Sequence, residues 1–158
     1  MQLDLNPPVG AGPLRFGMPI AEATEAASAW GDVKVGDPAP GRTAFKVLIA
    51  HPEFEVVLMA DDGESLTAIE AWRFENDEAD VRVEFNGLDV FRAPARELVQ
   101  RIGDAGHEGD TSDEEVAVFP DLALLLSRET SREVPLDPHD DLPLYVHYAL
   151  AAPSGYFD

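Results

Sequence analysis

Apolar residues recur along this chain with two periods, and the switches between them lay out its elements. Ile20, Ala23, Ala27 and Trp30 share one face of a 3.6-residue repeat. Pro19 opens that stretch, where a missing N–H costs nothing, and Gly31 closes it, so a helix is predicted over 19–30. A second helix is predicted from Pro94, with Ala95, Leu98, Val99 and Ile102 as its apolar face and Gly103 as its stop. Elsewhere the period falls to two. Phe45, Val47 and Ile49 alternate with Lys46 and Leu48; Phe54, Val56 and Leu58 alternate with Glu55 and Val57; Leu144, Val146, Tyr148 and Leu150 repeat the pattern near the end. Strands are therefore predicted over 44–50, 53–60, 65–74, 115–119, 122–128 and 143–150. In 65–74 an acid, Glu70, shares its face with Leu66, Ala68, Trp72 and Phe74. Residues 1–13, with Pro7, Pro8, Gly10, Gly12 and Pro13, read as an irregular lead-in, and 32–43, 104–114 and 129–142 as polar loops.

The sharpest local signal is Asn86-Gly87 between the alternating runs 81–85 and 88–91. This pair is the preferred two-residue hairpin loop, because both positions take positive φ. The register pairs Phe85 with Leu88 and Val83 with Val90, and it sets Glu84 opposite Asp89. Two carboxylates face to face oppose strand pairing, so the pair calls for a neighbouring cation such as Arg82.

One pattern occurs twice. Phe16, Pro19 and Glu22 spell F-x-x-P-x-x-E, and Phe91, Pro94 and Glu97 repeat it 75 residues later; Gly12 and Gly87 share the offset. An apolar helical stretch and then strands follow each copy. These observations predict an α+β fold in a single domain over 1–158: one antiparallel sheet of about six to eight strands, two helices on one face, and two α-then-β units over 12–75 and 87–152.

Charge changes the picture more than composition does. Thirty-one acids against 11 bases give a net charge of −20. No basic surface is available to replace phosphate counterions, which argues against nucleic acid and anionic membrane, whereas a basic protein would be attracted. With no cysteine there is no disulfide framework and no thiolate chemistry. Met1-Gln2-Leu3-Asp4-Leu5-Asn6 has neither the basic start nor the apolar core of a signal peptide, and a cytoplasmic protein is expected.

Reaction chemistry is sparse. The glycines Gly10 and Gly12 are followed by Pro13-Leu14-Arg15, without the Lys and Ser or Thr of a phosphate loop. The histidines His51, His107, His139 and His147 form no metal-ligand spacing, although Pro138-His139-Asp140-Asp141 is the richest local cluster. Asp110-Thr111-Ser112-Asp113-Glu114-Glu115 lacks the glycine and the final spaced Glu of a calcium loop. Neither a metal nor a cofactor is expected. Arg15, between Leu14 and Phe16, reads as half of a structural ion pair. Burial of Glu70 on its apolar face would raise its pKa and make it a candidate acid or base; exposure, or pairing with Arg73 or Arg82, is the plainer outcome.

The run Gly12-Pro13-Leu14-Arg15-Phe16-Gly17-Met18, followed by Pro19 and a helix with an early Glu, resembles the opening of small uncharacterised bacterial proteins, some of them similar to immunity or interaction proteins of toxin systems. Asp89-Val90-Phe91 and the Pro94 helix extend the likeness to the middle of the chain. The helix-then-strands layout is also similar in topology to β-lactamase-inhibitor-protein-like and outer-membrane-assembly lipoprotein folds. The resemblance brings no established activity, and so no catalytic residues.

Two functions compete. The first is a non-enzymatic binder that neutralises a basic partner through acidic surfaces: Glu75, Asp77, Glu78 and Asp80; Glu84 and Asp89; and Asp110, Asp113, Glu114 and Glu115. The second is a small enzyme or ligand-binding domain with a pocket between helices and sheet, lined by Glu70, Trp72 and His147.

Overall fold

The computed structural model describes residues 1–158. Its elements run β1 (Gln2–Asn6), β2 (Gly10–Ala11), β3 (Leu14–Arg15), α1 (Ile20–Ala27), β4 (Asp32–Val35), β5 (Phe45–His51), β6 (Phe54–Ala60), β7 (Ala68–Trp72), β8 (Arg82–Phe85), β9 (Leu88–Asp89), α2 (Ala95–Asp104), β10 (Val116–Phe119), β11 (Leu124–Ser127) and β12 (Tyr148–Ala151). The fold is α+β, with a seven-stranded antiparallel sheet in the order β10-β11-β12-β7-β6-β5-β4 and a five-stranded mixed sheet in the order β3-β2-β1-β8-β9.

The seven-stranded order has a simple logic. Strands β4 to β7 form one meander and β10 to β12 another, each made of chain neighbours, and the last strand of each meets at the β7–β12 seam. The register there sets Ile69 against Ala151, Glu70 against Leu150, Ala71 against Ala149 and Trp72 against Tyr148. Alternation then sends Ile69, Ala71, Ala149 and Ala151 into the main core, and Glu70, Trp72, Tyr148 and Leu150 to the opposite face. The main core holds 34 buried residues drawn from both meanders, from both helices and from β1 and β8, and a smaller cluster of Ala68, Ala123, Leu150 and Ala152 is buried apart from it. Each helix contributes the face its spacing predicts: Ile20, Ala23 and Ala27 from α1, and Ala95, Leu98 and Ile102 from α2.

Both F-x-x-P copies enter their helices the same way. Pro19 and Pro94 stand at the N-cap with φ/ψ of −56°/134° and −53°/133°. The next residue donates its N–H to a distant carbonyl, Ile20 to Glu64 at 2.9 Å and Ala95 to Leu144 at 2.7 Å. Each proline also bridges the segment leading into a seam strand, Pro19 to Ser65 and Pro94 to Tyr145. The motif thus fixes where a helix starts and ties that start to the sheet.

The structure departs from the sequence expectations in several places. Residues 1–13 are not irregular: β1 alternates, with Leu3 and Leu5 buried, and runs parallel to β8 with Leu3 opposite Val83. That pairing creates a second sheet where one was expected, and the prolines and Gly12 fall in two short turns, over 7–9 and 12–13, between its strands. Residues 32–35, expected as loop, are edge strand β4, whose side chains are all exposed. Helix α1 ends at Ala27, before Trp30, and Gly103 lies within α2 rather than after it. The strand expected over 143–150 is reduced to Tyr148–Ala151, because Leu144 and Pro143 are drawn into loop contacts with Pro135 and Leu136. The Asn86-Gly87 hairpin stands as expected, with φ of 49° and 78° at the two turn residues, Glu84 opposite Asp89 and Phe85 opposite Leu88.

Because the seam carries both meanders, truncating it costs far more than truncating an edge. Ile69→Ala is expected to lose about 2–5 kcal/mol in denaturant unfolding, whereas Val35→Ala on β4, where the side chain is exposed, stays within about 0.5 kcal/mol. Similar losses for both would contradict this assignment of the core.

Candidate functional site

The acidic residues named from the sequence fall on two separately built surfaces. The first spans the loop after β7 and the β8–β9 hairpin, and its organiser is Arg92. This guanidinium donates to the carbonyls of Val81 (2.6 Å), Ala79 (2.7 Å) and Asp77 (3.2 Å), and pairs with Asp89 Oδ2 at 3.2 Å. It also lies 4.3 Å from the centroid of the buried Phe74 ring. Five donors in a planar fork suit this work, since several carbonyls of one loop can be held at once. Met1 closes the same loop, donating its terminal amine to the Asp80 carbonyl at 2.9 Å.

Within this surface the carboxylates differ. Asp77 pairs with Arg73 at 2.8 Å, Glu84 sits 3.5 Å from Arg82, and Asp89 accepts from the N–H groups of Phe91 and Arg92. The opposed Glu84 and Asp89 are thus each relieved by an arginine of their own. Glu75, Glu78 and Asp80 are exposed and make no ion pair, leaving three unpaired carboxylates on a backbone held in place.

The second acidic surface lies between α2 and β10. Asp110 exchanges two backbone hydrogen bonds with Val118, at 2.7 and 3.0 Å, and so extends the sheet edge. The N–H and hydroxyl of Ser112 hold the Asp110 carboxyl below its ordinary pKa. Asp113 accepts from the Glu115 N–H at 2.9 Å. Glu114 and Glu115 line a cleft of about 730 Å³ between α2 and the sheet, together with Arg96, Val99, Leu126 and Val146. Its buried cation, Arg128, forms a two-point pair with Asp140 (2.8 and 3.1 Å) and donates to the Pro143 carbonyl at 2.7 Å. The Pro138-His139-Asp140-Asp141 cluster therefore belongs to a structural latch: hydrogen bonding to Arg128 lowers the Asp140 pKa, and Asp137 accepts from the His139 N–H.

The three residues of the alternative pocket part company. Glu70 is buried, but its partners are neither Arg73 nor Arg82. Lys46 reaches across from β5 to Oε1 at 3.1 Å, and the Tyr148 hydroxyl donates to Oε2 at 2.5 Å. Burial and this carboxylate push the Tyr148 phenol pKa up. Trp72 and His147 instead meet in a second cleft, of about 770 Å³, at the end of β7 and beside the β5–β6 turn and the 129–132 segment. No helix lines it, so it is not the helix–sheet pocket foreseen. Arg15 is exposed and has no carboxylate within ion-pair distance, contrary to expectation.

His147 is 5% exposed, and Arg132 donates to its Nδ1 at 3.4 Å. Burial first, and then the positive charges of Arg73 and Arg132, depress its pKa to about 4. Near neutral pH the ring is uncharged, and with Nδ1 accepting, its proton sits on Nε2. No group of three or more His, Asp or Glu side chains is arranged to hold a metal ion, and no helix is long and apolar enough to cross a membrane. Sequence reasoning missed Arg92, Arg128 and Arg132. Their partners are mostly backbone carbonyls or side chains distant in the chain, and no local spacing marks them. Comparison with protein-family models, with curated proteins and with solved structures found no match to this chain.

The His147 shift makes a pH prediction. The unfolded chain takes up this proton near 6.5 and the folded one only near 4, so acidification across that window favours unfolding. The stability concerned is complete above 6.5 and lost as pH falls toward 4. His147→Gln, which removes the titrating group, is expected to lower the slope of unfolding free energy against pH between 4 and 6.5 by up to about 1.4 kcal/mol per pH unit. Unchanged slopes in denaturant titrations at several pH values would contradict it.

Proposed function

We propose that the protein is a non-enzymatic, acidic protein-binding module that neutralises a basic partner, in the manner of an immunity protein. The observation that carries this reading is the loop after β7: Glu75, Glu78 and Asp80 stand exposed and unpaired on a backbone that Arg92 holds through three carbonyls. A flexible acidic tail would lose conformational entropy when a partner orders it, whereas a pre-held rim does not. The net charge of −20 steers a basic partner toward this rim and works against nucleic acid and anionic lipid. The likeness of the Gly12–Met18 opening to interaction proteins of toxin systems supports the same reading, as does a cysteine-free composition suited to the cytoplasm. Glu114 and Glu115, with Asp110 and Asp113, provide a second acidic surface on a different element, and the first rim is assigned the main contact because its backbone is more completely held.

The test is capture from native lysate with the parent protein and with a Glu75→Gln/Glu78→Gln/Asp80→Asn variant. A basic protein held by the parent at low salt, released as salt rises, and bound at least tenfold more weakly by the variant is the expected result. Equal retention by both proteins, or retention insensitive to salt, would contradict the assignment.

A further inference from the structure

The second cleft continues the acidic rim, because Glu75 belongs to both. Its most prominent feature is Trp72, an indole left 45% exposed beside concave protein surface. Register fixes its neighbours: Glu55 lies directly across on β6, and Tyr148 across on β12 with ring centroids 4.6 Å apart. The tyrosine braces the indole on one side, so its position is set by packing before anything binds. Glu53, Glu55, Glu75 and Glu129 line the cleft as exposed residues, and none of their carboxylates is engaged by an arginine, a lysine or a hydrogen-bond donor.

The other side of the cleft has the opposite character. The Arg132 guanidinium has no carboxylate partner although glutamates line the same cleft, and its one hydrogen bond is to His147. The neutral His147 ring is more than nine-tenths buried, and its second nitrogen, a donor, has no protein partner. One cleft thus offers an aromatic face with four free carboxylates, and beside them unused N–H donors. An indole face flanked by carboxylates is complementary to an organic cation. Unused N–H donors are complementary to a carbonyl oxygen. A single peptide residue with a basic side chain carries both groups.

We propose that this cleft receives a basic side chain of the partner, arginine or lysine, with its cationic head over Trp72 among Glu55, Glu75 and their neighbours and its main-chain carbonyl on Arg132 and His147. The assignment rests on the acidic-binder reading and narrows it. The rim after β7 attracts a basic surface by long-range charge, and the cleft recognises one residue of that surface by contact. Arg73 does not compete for the carboxylates of the cleft, because its guanidinium is spent on Asp77 and on the Phe91 carbonyl.

The experiment uses the full chain with Trp30→Phe, so that Trp72 is the only fluorophore of its kind, and a capped Gly-Arg-Gly peptide titrated at physiological salt. A matched peptide carries citrulline, the uncharged isostere, in place of arginine. The arginine peptide is expected to saturate one site with a change in Trp72 emission, and the citrulline peptide to bind at least tenfold more weakly. Calorimetry on the Trp72→Ala protein, checked for folding by circular dichroism, should show affinity lowered about 2- to 30-fold, with Trp72→Tyr recovering most of it. Equal binding of the two peptides, an unaltered affinity in Trp72→Ala, or no binding of the arginine peptide overturns the cleft assignment. Failure of the acidic-rim reading is distinguished by the captured partner: loss on a Glu78→Gln/Asp80→Asn variant, which spares the shared Glu75, with no effect of Trp72→Ala leaves the rim standing without the cleft, and the reverse leaves the cleft without the rim.

Discussion

The pairing of β7 with β12 is the contact on which the rest of this molecule depends. Every other junction of the seven-stranded sheet joins strands of one meander, close in sequence and cheap to close. This one joins strands some eighty residues apart, as the pair Glu70 and Leu150 shows. Its register decides both faces at once. Shifted by one residue, Ile69 and Ala71 would leave the core and Glu70 would enter it. The N-cap prolines serve the same junction from outside, since each ties a helix start to the segment that leads into a seam strand.

From that register the chemistry of the outer face follows. Glu70 is two residues from Trp72 on the same face, yet the two have different fates. Lys46 and Tyr148 enclose the carboxylate, whereas the indole lies at the strand end where the sheet stops and the cleft begins. Buried charge is tolerated where it is paired and hydrogen-bonded, and both Glu70 and Arg128 meet that condition. Three of the nine arginines of this very acidic chain, Arg73, Arg92 and Arg128, are spent holding loops by their carbonyls, which leaves the surface still richer in carboxylates. A strongly negative exterior and a well-ordered interior are thus two results of one distribution of charge.

Much of this architecture could be read in the sequence wherever the signal was local. The Asn86-Gly87 turn, the apolar faces of both helices, the alternation in β5 and β6, and the shared face of Glu70 and Trp72 all follow from spacings of two to four residues. What escaped was long-range or marginal. Strand β1 looked irregular because prolines and glycines follow it, and its partner β8 lies about eighty residues away. Edge strand β4 has no buried face to produce a pattern. Glu70 was visible as a buried acid in waiting, but Lys46 reaches it from two strands away and Tyr148 from across the seam. For the same reason Trp72 and His147 could be associated from sequence while Arg132, which completes their cleft, could not.

Native-state hydrogen exchange, resolved over β7 and β12 against the flanking strands, tests this account most directly. If the seam unites the two meanders, its amides exchange only through global unfolding and are the slowest in the chain, while β4 and β10 open earlier. Seam amides that exchange through a partial opening, with either meander still protected, would show that the halves hold together independently and would contradict the account.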